Sequence, residues 1–449
     1  MILGKLFGTD GVRGVANQEL TPELVFRLGR VGASVLVKQT QGRPRMLVGR
    51  DTRVSGDMLE SALVAGLTSA GVDAVRLGII PTPGVAYLTR VMDADAGVMI
   101  SASHNPVPDN GIKFFAGDGF KLPDAVEDEI ERGLAAEDDH LTRPIGVDVG
   151  RVYDDPAAWR RYADFLRGIC GKDLSGLKIV LDCGFGAAYH LAPTVLGELG
   201  AEVIAMHAKA DGAHINVHCG STHTAALQGE VAIQGAHLGL AFDGDADRVI
   251  AVDERGEVAD GDHLMAICAL DRLAAGTLPK KTIAITVYSN LGLREAMRAA
   301  GGDVTVTANG DRYILEAMRR ENLAIGGEQS GHVIFLEHNT TGDGLLTALQ
   351  VLSIIAGSGK SLSQLAAQMR TFPQILQNVP VASKAALQEN EAIREAVAVA
   401  EQELAGYGRL FVRASGTENL VRVLAEGADA DALRRIVDGV AAVVERELG

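Results

Sequence analysis

Aromatic residues make up only 4% of this 449-residue sequence, and cysteine occurs four times. A core so poor in rings must be filled by smaller side chains. With 47% hydrophobic residues and 53 glycines, the composition suits Ala/Val/Leu-rich helices packed on parallel strands through Gly-bearing loops, and excludes a disordered or fibrous chain. The cysteines, Cys170, Cys183, Cys219 and Cys268, are widely spaced and form no C-x-x-C pair. Residues Met1 to Leu6 carry a lysine and no apolar signal core, and no stretch reaches the roughly 18 apolar residues of a membrane span. A reduced, cytoplasmic enzyme without a membrane partner is expected. Long basic runs are also missing, and 42 Lys+Arg against 58 Asp+Glu leave a charge of −16, so nucleic acid is not an expected partner.

The length exceeds what one core holds, since single cores stop growing near roughly 250–300 residues. Three times a helical run ends in Gly, meets an acid and enters a Val-rich strand: Ala70-Gly71-Val72-Asp73-Ala74-Val75, Leu199-Gly200-Ala201-Glu202-Val203-Ile204 and Gly301-Gly302-Asp303-Val304-Thr305-Val306. Apolar strands lie upstream at Met46-Leu47-Val48, Ile179-Val180-Leu181 and Ile283-Ala284-Ile285. Strand, helix, Gly stop, strand is a βαβ unit. The expected fold is therefore α/β: three tandem mixed-sheet domains of related topology, 1–155, 156–259 and 260–371, and a small C-terminal α+β domain, 372–449, around a central cleft. In the last of these, Lys384 to Leu404 reads as a helix stopping at Gly406, Leu410–Val412 and Leu420–Leu424 as strands, and Asp431 to Leu448 as a closing helix.

Each domain sends a polar, Gly-rich loop from a strand end, where open parallel sheets bind ligands. Ser101-Ala102-Ser103-His104-Asn105-Pro106 leads to Asp109-Asn110-Gly111-Ile112-Lys113, and offers either an exposed nucleophile or a polar turn. Asp243-Gly244-Asp245-Ala246-Asp247-Arg248 places three carboxylates together. At about 5 Å and an effective dielectric of about 20, each pair repels by about 3 kcal/mol, a cost that a hard cation removes. Oxygen ligands suit Mg²⁺ or Ca²⁺, but Arg248 stands where a calcium loop needs its turn glycine. Gly326-Gly327-Glu328-Gln329-Ser330-Gly331-His332 suits paired bonds to vicinal hydroxyls, with His332 able to move protons, or else is a tight hairpin. Arg413-Ala414-Ser415-Gly416-Thr417-Glu418-Asn419, followed by Arg422, has the donors of a phosphate nest. Arg13, Arg50, Arg53, Lys113, Arg248, Arg413 and Arg422 all fall within motifs, which suggests a basic cleft in an acidic shell.

In this order the S-H-N-P, D-G-D-x-D-R, G-E-x-S-G-H and R-x-S-G-T-E segments resemble the α-D-phosphohexomutase superfamily across essentially the whole chain. Gly8-Thr9-Asp10-Gly11-Val12-Arg13-Gly14, Cys219-Gly220-Ser221-Thr222-His223 and Ser289-Asn290-Leu291-Gly292-Leu293 are similar to its glucosamine branch. The resemblance implies that Ser103 carries phosphate as phosphoserine. It implies Mg²⁺ on Asp243, Asp245 and Asp247, completed by a phosphoserine oxygen at Ser103. Glu328 and Ser330 would hold sugar hydroxyls, and Arg413, Ser415, Gly416, Thr417 and Arg422 the phosphate that is not reacting. Lys113, His332, Arg13 and His104 would serve proton transfer and the reaction centre, with Arg248 in the cleft. The implied activity interconverts glucosamine 6-phosphate and glucosamine 1-phosphate through a glucosamine 1,6-bisphosphate, on the route to UDP-N-acetylglucosamine and cell-wall precursors, with a small phosphosugar as partner. A mobile C-terminal domain would let the intermediate turn over. Glucose or mannose phosphates as substrates, an aspartyl-phosphate phosphatase using Asp243, and a non-catalytic phosphosugar sensor stay open as alternatives. The oligomeric state is also open, a homodimer being one option.

Overall fold

The computed structural model describes residues 6–8, 10–38, 40, 42–136, 140–384, 386–415 and 419–449. By its contacts the chain forms two compact units, one of residues 1–288 and 300–368, the other of 289–299 and 369–449.

The first unit holds three sheets. β1 (Val12–Val15), β2 (Arg45–Arg50), β3 (Asp73–Ile79), β4 (Ala96–Ile100), β5 (Asp109–Ala116) and β6 (Val152–Asp154) form a sheet of order β1-β5-β4-β2-β3-β6. The run from β4 to β6 is parallel, and β5 and β1 add antiparallel strands at one edge. The second sheet takes β7 (Lys178–Asp182), β8 (Glu202–Met206), β9 (Leu238–Phe242), β10 (Val249–Asp253) and β11 (Val258–Ala259) in the order β11-β10-β9-β7-β8, with β7, β8 and β9 parallel. The third takes β12 (Thr282–Thr286), β13 (Asp303–Thr307), β14 (Ile325–Gly327) and β15 (Val333–Phe335) in the order β13-β12-β14-β15, only β15 being antiparallel.

The three sequence echoes are the parallel pairs β2/β3, β7/β8 and β12/β13. In each, the acid after the glycine stop opens the second strand and faces the first residue of the other: Asp73 with Arg45, Glu202 with Lys178, Asp303 with Thr282. Side chains alternate across a strand, so the apolar runs split between layers. Met46 and Val48 of β2, Val98 and Ile100 of β4 and Phe114 of β5 enter one core with Leu28 and Leu63. Leu47, Met99 and Phe115 enter another with Val85 and Leu88.

In all three sheets a parallel strand runs into an antiparallel neighbour, β4 into β5, β9 into β10, β14 into β15. These connections are the Ser103, Asp243–Asp247 and Glu328–His332 loops.

The second unit pairs β16 (Gln374–Pro380), β17 (Gly408–Ala414) and β18 (Leu420–Gly427), antiparallel in the order β16-β18-β17, under the helices Glu391–Glu403 and Ala430–Leu448. The helix expected from Lys384 starts later, at Glu391. Asn390 caps it by accepting from Ile393 N at 3.1 Å, and that cap ends the turns before it. The helix Leu291–Ala299 belongs to this unit. Asn290 joins it to Phe372 through paired bonds of 2.9 and 3.0 Å, and Leu291 N donates to the buried Glu426 at 2.8 Å. The Ser289–Leu293 motif is thus an anchor for this helix. Among the described residues no helix is long and apolar enough to cross a membrane.

Candidate active site

Ser103 is fully buried rather than the exposed nucleophile its strand-end position allowed, because the second sheet's loop closes over it. Its Oγ donates to Asp243 Oδ2 at 2.7 Å and lies 3.2 Å from His104 Nδ1. A Cβ on Gly244 would sit 2.6 Å from the Ser103 carbonyl oxygen, so only glycine lets the loops approach this closely. Ser103 has a φ of 52°, a left-handed conformation that costs a non-glycine residue of order 1–3 kcal/mol unless its surroundings enforce it. Three neighbours do so. Ser103 N donates to Ser101 Oγ at 2.9 Å, and its carbonyl accepts from Arg53 Nη2 at 3.0 Å and Asn216 Nδ2 at 2.9 Å.

Arg53 is therefore not a cation of an open cleft. It is buried, paired with Asp51 at 3.0 Å, and its remaining donors meet the carbonyls of Asn105, Pro106 and Asp109 at 2.6–2.9 Å. Arg50 likewise pairs with Asp57 at 2.6 Å. The expectation that all seven motif cations face a ligand fails at Arg53, because a loop rich in turned backbone needs donors of its own. Arg13 and Arg248 remain partly exposed, and the Nε of each is buried without a hydrogen bond.

Asp243, Asp245 and Asp247 are buried, with ligand-capable oxygens all within 4.8 Å of one another. Lys113 enters this group, 2.9 Å from Asp245, 3.6 Å from Asp247 and 3.3 Å from Asp10. A lysine thus relieves part of the repulsion assigned to a cation alone. Part remains, since Asp245 Oδ1 and Asp247 Oδ1 are buried and make no hydrogen bond. Burial, then Asp247 and Asp245, push the Asp243 carboxyl well above the usual carboxylate range. Burial also acts upward on Asp247, but Lys113, aided by the facing His332 N–H, outweighs it and holds its carboxyl low. A second grouping, Asp182, His207 and Cys219, lacks this feature. The Asp182 oxygens accept from Gly184 N, Gly220 N and His207 Nδ1, each at 2.9 Å. Three clustered carboxylates, two of which keep an unsatisfied buried oxygen, fit a hard divalent cation at Asp243, Asp245 and Asp247.

The site extends into a ring of alternating acidic and basic side chains that the motifs did not announce. Lys113 meets Asp10, Asp10 meets Lys121 at 2.6 Å, Lys121 meets Asp311 at 2.6 Å, and Asp311 lies 3.7 Å from His332 Nε2. His332 Nδ1 lies 3.6 Å from Asp247, which returns to Lys113. Arg13 also pairs with Asp10. Burial works against charge on Lys113, but Asp10, Asp245 and Asp247 hold its pKa above the ordinary value, so it is an ammonium. Burial opposes charge on His332 as well, and Asp247 and Asp311 still raise it. Against that, Gly342 N donates to His332 Nε2 at 3.1 Å, which requires a lone pair there. That bond makes His332 a neutral imidazole with its proton on Nδ1, facing Asp247. Burial, then Arg248 and Arg13, lower His104 to about 4, so it too is neutral.

Glu328 accepts from Gly310 N at 3.1 Å and lies 3.5 Å from Ser330 Oγ, with Ser330 exposed. Asp10 lies in the Gly8–Gly14 run without an assigned role, whereas Lys121, Asn216 and Asp311 lie outside the motifs named above.

The second unit carries the remaining expected residues. Arg413 of β17 and Arg422 of β18 are direct cross-strand partners. Like charges so placed repel, an arrangement that an anion offsets. Ser415 is buried, and its carbonyl accepts from Lys384 Nζ at 2.9 Å, a further cation that sequence reasoning missed. Gly416 and Thr417 lie outside the described residues.

The four domain models described as phosphoglucomutase/phosphomannomutase match in order: alpha/beta/alpha domain I at residues 4–141, domain II at 160–256, domain III at 260–372 and the C-terminal domain at 376–443. The chain is 57% identical to the phosphoglucosamine mutase of Moorella thermoacetica over 98% of both chains, and 53% identical to that of Geobacillus thermodenitrificans over the whole of both. Its fold matches a phosphoglucomutase/phosphomannomutase family protein of Burkholderia thailandensis with a TM-score of 0.85 at 25% identity, over 99% of this chain and 98% of that one. It matches the N-acetylphosphoglucosamine mutase of Aspergillus fumigatus with a TM-score of 0.70 at 18% identity, over 98% and 95%. A serine bound to a carboxylate triad, four domain matches in order and full-length relatives place this chain in the phosphoglucomutase/phosphomannomutase family, in its phosphoglucosamine mutase branch.

Proposed function

We propose that the chain interconverts glucosamine 6-phosphate and glucosamine 1-phosphate through phosphoserine at Ser103. The observation that carries this reading is the hydrogen bond from Ser103 Oγ to Asp243, within a carboxylate group that keeps unsatisfied buried oxygens. The amino sugar rests on the relatives, named phosphoglucosamine mutases at 53–57% identity.

In the forward half-reaction the free sugar hydroxyl attacks the phosphorus of phospho-Ser103. The sugar O–P bond forms, the P–Oγ bond breaks, and the hydroxyl proton is balanced at Ser103 Oγ, which then donates it toward Asp243. Glucosamine 1,6-bisphosphate results, and its other phosphate returns to Ser103 in the second half-reaction. Lys113 as ammonium and neutral His332, both beside Asp247, are placed to move the proton. Arg13 and Arg248 bring guanidinium charge to the phosphoryl group, and His104 packs against the serine oxygen. Positioning and charge neutralisation carry most of the catalysis in such a transfer. Asp243, Asp245 and Asp247 would hold Mg²⁺, with a phosphoserine oxygen completing the site, and the ion when bound neutralises charge developing on the phosphoryl oxygens. Glu328 and Ser330 hold sugar hydroxyls, while Arg413, Ser415, Gly416, Thr417 and Arg422 hold the distal phosphate. Asp243 itself is poorly suited to nucleophilic attack, since Oδ2 accepts from Ser103 and Oδ1 from Arg248 N at 3.1 Å.

The domains we assign are 1–155, 156–259, 260–371 and 372–449. A cytoplasmic setting agrees with four cysteines that are all free and buried. The deciding experiment compares kcat/KM for glucosamine, glucose and mannose 6-phosphates with Mg²⁺ and a bisphosphate primer. Glucosamine 6-phosphate is expected to win, and a preference for either neutral sugar overturns the substrate. Phosphate transferred to the protein should resist hydroxylamine and be absent from Ser103→Ala. A hydroxylamine-labile bond points to Asp243 instead.

A further inference from the structure

Asp245 has one oxygen doubly engaged and the other unsatisfied. Its Oδ2 accepts from Thr82 Oγ1 at 2.5 Å and from Lys113 Nζ at 2.9 Å, while Oδ1 is buried and makes no hydrogen bond. The Asp245 main-chain carbonyl also accepts from Thr82 N, at 3.0 Å. One residue attached to the first sheet therefore holds both the backbone and the side chain of a loop attached to the second.

Local sequence explains why Thr82 can do this. It is the first residue of the helix Thr82–Val91, directly after Pro81, and is wholly buried. A first-turn N–H has no acceptor in its own helix, so this donor is available to Asp245. The hydroxyl, with a single hydrogen, spends it on Oδ2. Turning the carboxylate out of this plane would break the bonds from both Thr82 and Lys113 and leave the hydroxyl buried without an acceptor, which is costly.

We propose that Thr82 is a positioning residue for the cation site: by occupying Oδ2 it selects Oδ1 as the oxygen Asp245 presents to the metal. This rests on the reading that the triad holds a divalent cation. Groups that orient metal ligands typically change metal affinity about 10–100-fold when removed.

The test is Mn²⁺ binding to the full chain, followed by calorimetry and by the paramagnetic signal of free Mn²⁺. Thr82→Val keeps the shape and removes the donor. It is expected to weaken Mn²⁺ roughly 10–100-fold, to recover wild-type kcat at higher metal concentration, and to be largely restored by Thr82→Ser. Where the valine variant does not fold, Thr82→Cys, a weak donor of similar size, carries the same expectation. Unchanged Mn²⁺ affinity in Thr82→Val, or a serine variant as weak as the valine one, overturns the proposal. Asp245→Asn separates the two levels. If it leaves Mn²⁺ binding intact, the cation site itself is wrong; if it weakens binding while Thr82→Val does not, only the role of Thr82 falls.

Discussion

Arg53 holds Ser103 by its backbone: Nη2 donates to the Ser103 carbonyl at 3.0 Å while the guanidinium stays buried against Asp51. The nucleophile's left-handed conformation is thus imposed by a cation that need never touch substrate.

Replacing that cation should cost stability as well as activity. Arg53→Met leaves Asp51 buried without its partner and several carbonyls without donors, and breaking such a pair typically costs about 3–5 kcal/mol. A clear fall in melting temperature is expected, together with slower phosphorylation of Ser103 in whatever fraction folds. A variant that melts like the wild type and is phosphorylated at the same rate would show that Arg53 does not hold the loop.

Metal should stabilise the fold in proportion to occupancy. At about 100 times its Kd, Mg²⁺ adds about 2.7 kcal/mol to the state that binds it. Thermal melting with and without Mg²⁺ should show this shift in the wild type and lose it in Asp247→Asn, whose free oxygen is one of the two without a hydrogen bond. An equal shift in both proteins would place the ion elsewhere.

Gly342 is the floor under His332. A Cβ there would lie 2.5 Å from three imidazole atoms, and the Gly342 N–H keeps the lone pair of Nε2 engaged. Gly342→Ala should therefore displace the ring, at a stability cost of about 1–3 kcal/mol, and lower kcat more than it raises KM. Steady-state kinetics with wild-type kcat would remove His332 from the proton path.

Acidification should weaken the fold through His104. Its folded pKa, about 4, lies below the ordinary 6.5, so as pH falls through 6.5 the unfolded chain takes up a proton that the folded chain refuses until about 4. The stability held above 6.5 is lost across that window. In the unphosphorylated, metal-free protein the His104 ring resonances should titrate near 4, and His104→Gln should flatten the melting temperature over the same range. A midpoint near 6.5 would contradict the burial and the two arginines that set it.

The three βαβ units were legible because Gly71, Gly200 and Gly301 each stop a helix in the left-handed region, with φ of 85°, 95° and 79°. Such local punctuation survives in sequence. The Asp243–Asp247 loop was legible for the same reason, since its carboxylates are neighbours along the chain. The Ser289–Leu293 run, similar to the glucosamine branch, pins a helix to Phe372 and Glu426.

The order of strands and stops, and the residue types each loop offers, were thus determined by the sequence itself: hydrophobic period and glycine act over a few residues. Which of those residues meet was decided only by tertiary structure. Arg53 turned inward, Lys113 joined the carboxylates, and Lys121 linked Asp10 to Asp311 across 111 and 190 positions. A charge has no sequence signature for its partner. It finds one where burial makes an unpaired charge too costly to keep, and only the packed domains specify where that is.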